Sequence, residues 1–176
     1  MILNPRPAAL PVRADSIPPE LVARDQWVCW SWQRRPDKPD DWTKVPVDPR
    51  TGGKASATDP GTWAPFAVAL GRHERDGLAG IGFVVTHDDP YTGVDLDKCR
   101  DPASGHLAPW AAAIVAEFDS YAEVSPSGTG VRVWIVGSLD GLLPDGRGGR
   151  RKGSIEVYAH DRYFTVTGHA LGEVAP

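Results

Sequence analysis

Cysteine is scarce in this sequence of 176 residues, which contains only Cys29 and Cys99. Two cysteines this far apart in the sequence fit free thiols in a reducing cytosol better than a disulfide framework. No Cys-x-x-Cys pair occurs, and this absence argues against a structural zinc site. We therefore expect the fold to depend on a hydrophobic core, for which a chain of this length is sufficient.

Long apolar runs are missing too. No stretch approaches the roughly 20 residues of a membrane span, and the start, MILNPRPAALPVRADS, has no apolar signal-peptide core. With 41% hydrophobic and 24% charged residues, the composition is ordinary for a soluble globular domain. These features predict a cytoplasmic protein with no membrane partner.

An excess of positive charge, common in nucleic-acid-binding proteins, is also absent, because the formal net charge is −4. Basic residues nevertheless recur in two stretches, residues 34–54 and 147–152. Such runs are typical of solvated loops. An acidic catalytic centre beside basic loops would give the same near-neutral total, so net charge does not distinguish the two interpretations.

The order of elements predicts an α+β fold. Residues 1–16 are rich in Pro and Ala and predict a flexible leader before one domain at 17–176. Helix signals occur near 18–20, at 62–73 and at 107–118, while 36–61 predicts a long loop with a brief strand at 45–47. Other strands are predicted at 27–32, 80–85, 91–95, 122–125, 131–136, 154–158 and 162–167. We expect helices on one side of a sheet, and a mobile glycine-rich stretch at 141–153.

Two short strands carry acidic residues between apolar ones. In Val94-Asp95-Leu96-Asp97 the two aspartates would share one face of a strand. Carboxylates this close repel each other unless a cation lies between them, and Mg²⁺ or Mn²⁺ prefers such oxygen ligands. Asp-x-Asp also occurs in glycosyltransferases, nucleases and plain surface turns. Glu156 in SIEVY would supply the third acid of a two-metal site, or belong to an exposed polar row.

The segment SPSGTG, residues 125–130, directly precedes the predicted strand VRVWIV. Small residues let backbone N–H groups approach a phosphate, although a glycine-rich hairpin turn has the same composition. Arg132 and Trp134 would share one face of that strand. Arg132 would then point to the side of a phosphate held by the loop, or it is an exposed sheet arginine.

Four motifs in one order resemble a known family. Asp95-Leu96-Asp97, SPSGTGVRVW, SIEVY and RYFTVTGH together resemble the primase–polymerases of phages and plasmids, members of the archaeo-eukaryotic primase superfamily. The upstream segments KVPVDPRTGGKASATDPGTW and GIGFVVT are similar to this family too. The resemblance covers residues 20–170, and four motifs in register are far more specific than any one of them.

The resemblance implies an RRM-like antiparallel or mixed sheet that carries the active site, beside a small α/β lobe. It implies that Asp95, Asp97 and Glu156 are catalytic and bind divalent metals, Mg²⁺ or Mn²⁺. The expected reaction is template-directed nucleotidyl transfer with nucleoside triphosphates on single-stranded DNA, in phage or plasmid replication. Family members often continue into a helicase, so we expect a helicase domain or protein as a partner and an excised domain or a short stand-alone form here.

Further residues are assigned to substrates. The resemblance implies nucleotide binding by the SPSGTG loop and the next strand, at Ser125, Ser127, Gly128, Gly130 and Arg132, to which we add Arg162. Lys44, Lys54 and Lys152 are candidates for DNA contacts. Arg132 stands where the family usually has histidine, and arginine cannot release a proton near neutral pH.

Arg132, in the place where the resembling family usually has histidine, leaves alternative functions open. One is a catalytically weak, primase-like module that binds DNA or nucleotide, which the arginine favours and the three acids oppose. Another is a metal-dependent nuclease built on the same acids. His160 or His169 could reach the site, although both are expected to be solvated loop histidines. Trp42 and Trp134 could stack on bases or pack in the core.

Overall fold

The computed structural model describes residues 4–139 and 148–172. Within them, the helices are α1 (Pro19–Val22), α2 (Phe66–Asp76) and α3 (Pro109–Phe118), with 3-10 turns at Ala14–Ser16 and Pro60–Thr62. The strands are β1 (Trp27–Arg35), β2 (Lys38–Val47), β3 (Gly80–Val85), β4 (Tyr91–Leu96), β5 (Ala122–Val124), β6 (Val131–Val136), β7 (Gly149–Lys152), β8 (Ile155–Tyr158) and β9 (Arg162–Val166). No helix among the described residues is long and apolar enough to cross a membrane.

The first sheet has the strand order β2-β1-β3-β9, with antiparallel neighbours throughout. The prediction of a long loop at 36–61 is wrong for residues 38–47, because these ten residues form the strand β2. The strand contains Pro39 and Pro46, which usually prevent a central strand. β2 lies at the sheet edge, where a residue without an N–H is tolerated.

The second sheet has the strand order β5-β6-β4-β8-β7 and is also antiparallel. Val94, Leu96, Val131 and Val133 are buried with α3 in one core cluster, as their alternation predicts. The mobile stretch predicted at 141–153 falls partly on residues 141–147, which lie outside the described residues. The part from 149 to 152 is strand β7, which the sequence does not predict.

A second core cluster joins the two sheets. Phe83 of the first sheet packs edge to face against Trp134 of the second, with ring centroids 5.7 Å apart, and Phe164 packs against the same indole at 5.4 Å. Helix α2 contacts β1 and β3, and α3 contacts β6, so each sheet carries one of the longer helices. The α+β class is confirmed, whereas the archaeo-eukaryotic primase fold stays a prediction.

Helix α2 begins later than the sequence predicts. Thr62 does not cap it, because Pro60–Thr62 is a 3-10 turn in which the Asp59 side chain accepts the Gly61 N–H. Pro65 instead occupies the N-cap position, and the helix runs to Asp76 before Gly77 ends it with a φ of 61°. Glycine suits this left-handed C-terminal position because it has no Cβ.

The N-terminal residues contact both sheets. The Asn4 carbonyl accepts hydrogen bonds from Arg34 and from the indole of Trp42, near the β1–β2 hairpin. Farther along, the Leu10 N–H donates to the carbonyl of Pro126, 2.9 Å away. Residues 4–10 therefore extend from the β1–β2 hairpin to the SPSGTG loop of residues 125–130. The flexible leader and the domain boundary at residue 17 stay predictions.

Candidate active site

One row of charged side chains crosses all five strands of the second sheet. The register pairs Glu123 with Arg132, Arg132 with Asp95, Asp95 with Glu156, and Glu156 with Arg151. Residues directly opposite each other on neighbouring strands share a face. The row therefore alternates in charge except at one place, where two acids are adjacent. That place is the centre of the candidate site.

The three predicted catalytic acids lie together there. Asp95 and Glu156 are directly opposite each other, and Asp97, directly after the end of β4, lies two residues after Asp95 on the same side. Arg151 contacts two of the acids, with guanidinium nitrogens 2.9 Å from Glu156 Oε1 and 3.8 Å from Asp97 Oδ2. Arg162 donates to the other oxygen of Glu156 at 3.1 Å. The three acids therefore share one sheet face, and their role as metal ligands stays a prediction, which is based on the preference of Mg²⁺ and Mn²⁺ for carboxylate oxygens.

Arg132 is buried, and its guanidinium forms its polar contacts with Asp95 and Thr165 of the same chain. One guanidinium nitrogen lies 3.4 Å from Asp95 Oδ2, and another donates to the backbone carbonyl and the hydroxyl of Thr165. The guanidinium carbon is 5.9 Å from the ring centre of Phe164. Arg132 therefore links β4, β6 and β9 and holds a positive charge beside the acids.

Glu123 and Arg151, at the two ends of the row, are the members that the predicted site residues do not include, and Glu123 is the buried one. Its side chain is fully buried and accepts hydrogen bonds from the N–H groups of Thr167 and Gly168 and from the hydroxyl of Tyr121. Burial raises the pKa of the Glu123 carboxyl, while the Gly168 N–H and the Arg132 charge oppose the rise. A polar residue in the Ala-Glu-Val strand two places before the SPSGTG loop was the available signal.

The face opens into a cavity of about 560 Å³ at the junction of the two sheets. Asp95 and Asp97 line it, and basic side chains surround these two acids. Four cations in the lining come from β2, β6, β7 and β9, and they are Lys44, Arg132, Arg151 and Arg162. Trp32 and Trp42 form part of the wall on the first sheet. The cavity combines acids, cations and aromatic surface.

Lys44 has an unusual environment within this cavity. Its ammonium lies 5.7 Å and 5.9 Å from the ring centres of Trp32 and Trp30. Burial, together with the Arg132 charge, lowers the pKa of Lys44 to about 8, although Asp95 and Asp97 oppose the change. A charged Lys44 therefore destabilises the folded protein at neutral pH.

We expect Lys44→Met to raise the free energy of unfolding at pH 7 by about 2 kcal/mol, because the folded-state pKa lies well below the unfolded value. The penalty is fully present below pH 8 and is relieved as the pH rises from 8 towards 10.5, since only the unfolded chain then keeps the proton. The increase in the free energy of unfolding caused by Lys44→Met should therefore vanish near pH 10.5. Urea denaturation at several pH values measures it, with exposed Lys54→Met as the control that should change nothing.

The SPSGTG loop is held by its own hydrogen bonds. Ser125 Oγ accepts the Gly130 N–H at 3.0 Å and lies 3.2 Å from Ser127 Oγ. The N–H groups of Gly128 and Thr129 also have partners within the loop. None of the loop residues lines the cavity. The loop nevertheless adjoins the acids, because a Cβ on Gly130 would lie 2.8 Å from the carbonyl oxygen of Leu96, next to Asp97.

The other predicted contact residues are distributed unevenly. Of the three candidate DNA-binding lysines, Lys44 lines the cavity, whereas Lys54 and Lys152 are exposed elsewhere. Lys152 neighbours Arg151 on β7, so alternation directs it away from the acids. Trp134 packs in the core. His160 is buried rather than solvated, so the expectation for this histidine is wrong.

No family model matches the chain. A curated relative, the DNA primase-polymerase of Nitratiruptor phage NrS-1, is 37% identical to it over 146 residues. The match covers 83% of this chain and 19% of the relative, so the chain spans about a fifth of the relative's length. Over most of its length, this chain is therefore a homologue of a phage DNA primase-polymerase, as its four motifs predict.

Proposed function

We propose that this chain carries the catalytic site of a DNA primase–polymerase, which adds nucleotides to a growing strand on a single-stranded DNA template. The observation that carries the proposal is the direct pairing of Asp95 with Glu156, with Asp97 beside them, at a cavity edged by cations. Two adjacent carboxylates are costly without a cation between them. The motif order and the phage relative support the same reaction.

Asp95, Asp97 and Glu156 would hold two Mg²⁺ or Mn²⁺ ions, which when bound stabilise the charge of the attacking and leaving oxygens. The donor set fits, because all three side chains offer hard carboxylate oxygens. Arg151 and Arg162 now neutralise Glu156. Both side chains are about half exposed, so they can turn from the acid to the phosphates of an incoming nucleotide when metal takes their place.

The remaining surface suits the nucleotide and the template. Arg132, Arg151 and Arg162 would attract the triphosphate, and the SPSGTG loop lies beside Asp97, where phosphates could exchange for its internal hydrogen bonds. Trp32 and Trp42 offer aromatic surface on which bases stack with little sequence preference. Lys44 adds a positive charge to the same cavity, beside Trp32.

A primer-extension assay tests the proposal. The chain, a labelled primer on a single-stranded template and all four nucleoside triphosphates should give elongated product with Mn²⁺ or Mg²⁺, and none after chelation with EDTA. A second reaction without nucleotides tests for a nuclease, and shortened labelled DNA there would favour that activity. Binding of DNA without any product under all conditions would contradict catalysis.

The second candidate is a module that binds DNA or nucleotide without efficient catalysis. The ion pair between Arg132 and Asp95 favours it, because a guanidinium beside a metal-binding acid competes with the metal. Comparing wild-type chain with Arg132→His separates the candidates, since histidine stands there in the resembling family. Activity that appears only in the variant would show that arginine suppresses catalysis.

A further inference from the structure

Two histidines and an aspartate form a cluster at a site separate from the acids. The rings of His87 and His160 are stacked with centroids 3.5 Å apart and planes inclined by 28°. Asp161 Oδ2 lies 2.8 Å from Nδ1 of His160. One ligand atom of each residue lies within 4.8 Å of the others. Neither the motifs nor the proposed reaction uses these three residues.

The cluster lies where the chain passes between the sheets. His87 belongs to the connection from β3 to β4, and His160 and Asp161 form the connection from β8 to β9. Each connection leaves one sheet and enters the other. A group that bound all three side chains would therefore join two separate crossovers and stabilise the junction of the sheets.

The surroundings hold the cluster in place yet leave it accessible. His160 is buried, and a Cβ on Gly148 would lie 2.6 Å from its ring, so the backbone packs directly on the imidazole. Asp161 has a φ of 57°, an uncommon conformation for a residue with a side chain. His87 and Asp161 also line a surface cleft of about 440 Å³, which gives water and ions access.

We propose that His87, His160 and Asp161 bind a Zn²⁺-like transition metal ion, with water in the remaining position. Two imidazole nitrogens and one carboxylate oxygen suit borderline metals such as Zn²⁺, whereas Mg²⁺ prefers oxygen ligands alone. Stacked rings do not direct both nitrogens at one ion. The exposed His87 ring must turn away from its stack on His160 on binding. The scarcity of cysteine argues against a cysteine-based zinc site and leaves this one open.

Titration of the metal-free chain with ZnCl₂, followed by calorimetry, tests the site. Asp95→Asn is the background, so that binding at the acids is weakened. We expect one equivalent of Zn²⁺ to bind and the melting temperature to rise by about 5–10 °C at a hundredfold excess over Kd. Co²⁺ in place of Zn²⁺ should give the visible absorption of a low-symmetry site with nitrogen ligands.

The matched variants are His87→Ala and His106→Ala, each of which removes one exposed imidazole. His87→Ala should abolish the binding and the thermal shift, whereas His106→Ala should keep both. Zn²⁺ binding of unchanged affinity in His87→Ala, or no bound equivalent in the Asp95→Asn background, would overturn the proposal. Neither readout depends on nucleotide addition, so the result is independent of the proposed function.

Discussion

Replacing Asp95 by asparagine should reduce nucleotide addition by about a thousandfold, because an amide at this position cannot contribute charge to a metal site. Asp95 is the central acid of the row, opposite both Arg132 and Glu156. Loss of one metal ligand should remove several kcal/mol of transition-state stabilisation. Single-turnover primer extension with saturating Mn²⁺ measures the effect on the chemical step.

The control is Glu117→Gln, which removes an exposed carboxylate on α3. It should leave the extension rate unchanged. Asp95→Asn relieves repulsion among the acids but also removes the anion beside the buried Arg132, so we expect its melting temperature to fall by a few degrees, and extension is measured below that temperature. Extension by Asp95→Asn at the wild-type rate would exclude Asp95 from catalysis.

Replacing Arg132 by alanine should destabilise the fold by about 3 kcal/mol, the cost of removing one partner from a buried ion pair. The substitution leaves Asp95 without its cation, removes the charge opposite buried Glu123, and breaks the bonds to Thr165. For a domain of this size the melting temperature should fall by about 6–12 °C. Urea denaturation gives the free energy directly.

Arg151→Ala is the matched control, since Arg151 also pairs with the acids but its side chain is 61% exposed. An exposed ion pair contributes roughly 0–1 kcal/mol, so this variant should keep nearly all of its stability. Calorimetric titration with a nucleoside triphosphate, below the melting temperatures of both variants, measures separately how much each arginine contributes to nucleotide binding. An Arg132→Ala chain as stable as the wild type would show that the internal partners of Arg132 contribute little.

The sequence predicts which sheet face carries the acids, but not which strands lie beside each other. Alternation alone places Asp95 and Glu156 on the face opposite Val94, Leu96, Ile155 and Val157, because a strand repeats every two residues. Alternation says nothing about which strands are neighbours. The pairing of Glu156 with Asp95 depends on β8 lying beside β4, and the two strands are about 60 residues apart.

Other features escape sequence reasoning for physical reasons. Strand β2 contains two prolines, which are compatible with a strand only because β2 lies at an edge. The position of Arg132 suggests a phosphate ligand, but the residue that satisfies it is Thr165, on a strand of the other sheet. The contact of His87 with His160 likewise joins two connections that only tertiary packing brings together.

The distribution of the seven tryptophans has a spectroscopic consequence. Trp27, Trp30, Trp63 and Trp134 are buried, and Trp110 lies on the outer side of α3. Of the tryptophans in the described part of the chain, only Trp32 and Trp42 line the cavity. A base stacked on either indole will quench its emission, while the buried indoles supply a constant background. Intrinsic fluorescence can thus report occupancy of the cleft without a dye, and Trp42→Phe or Trp32→Phe identifies the indole that senses the base.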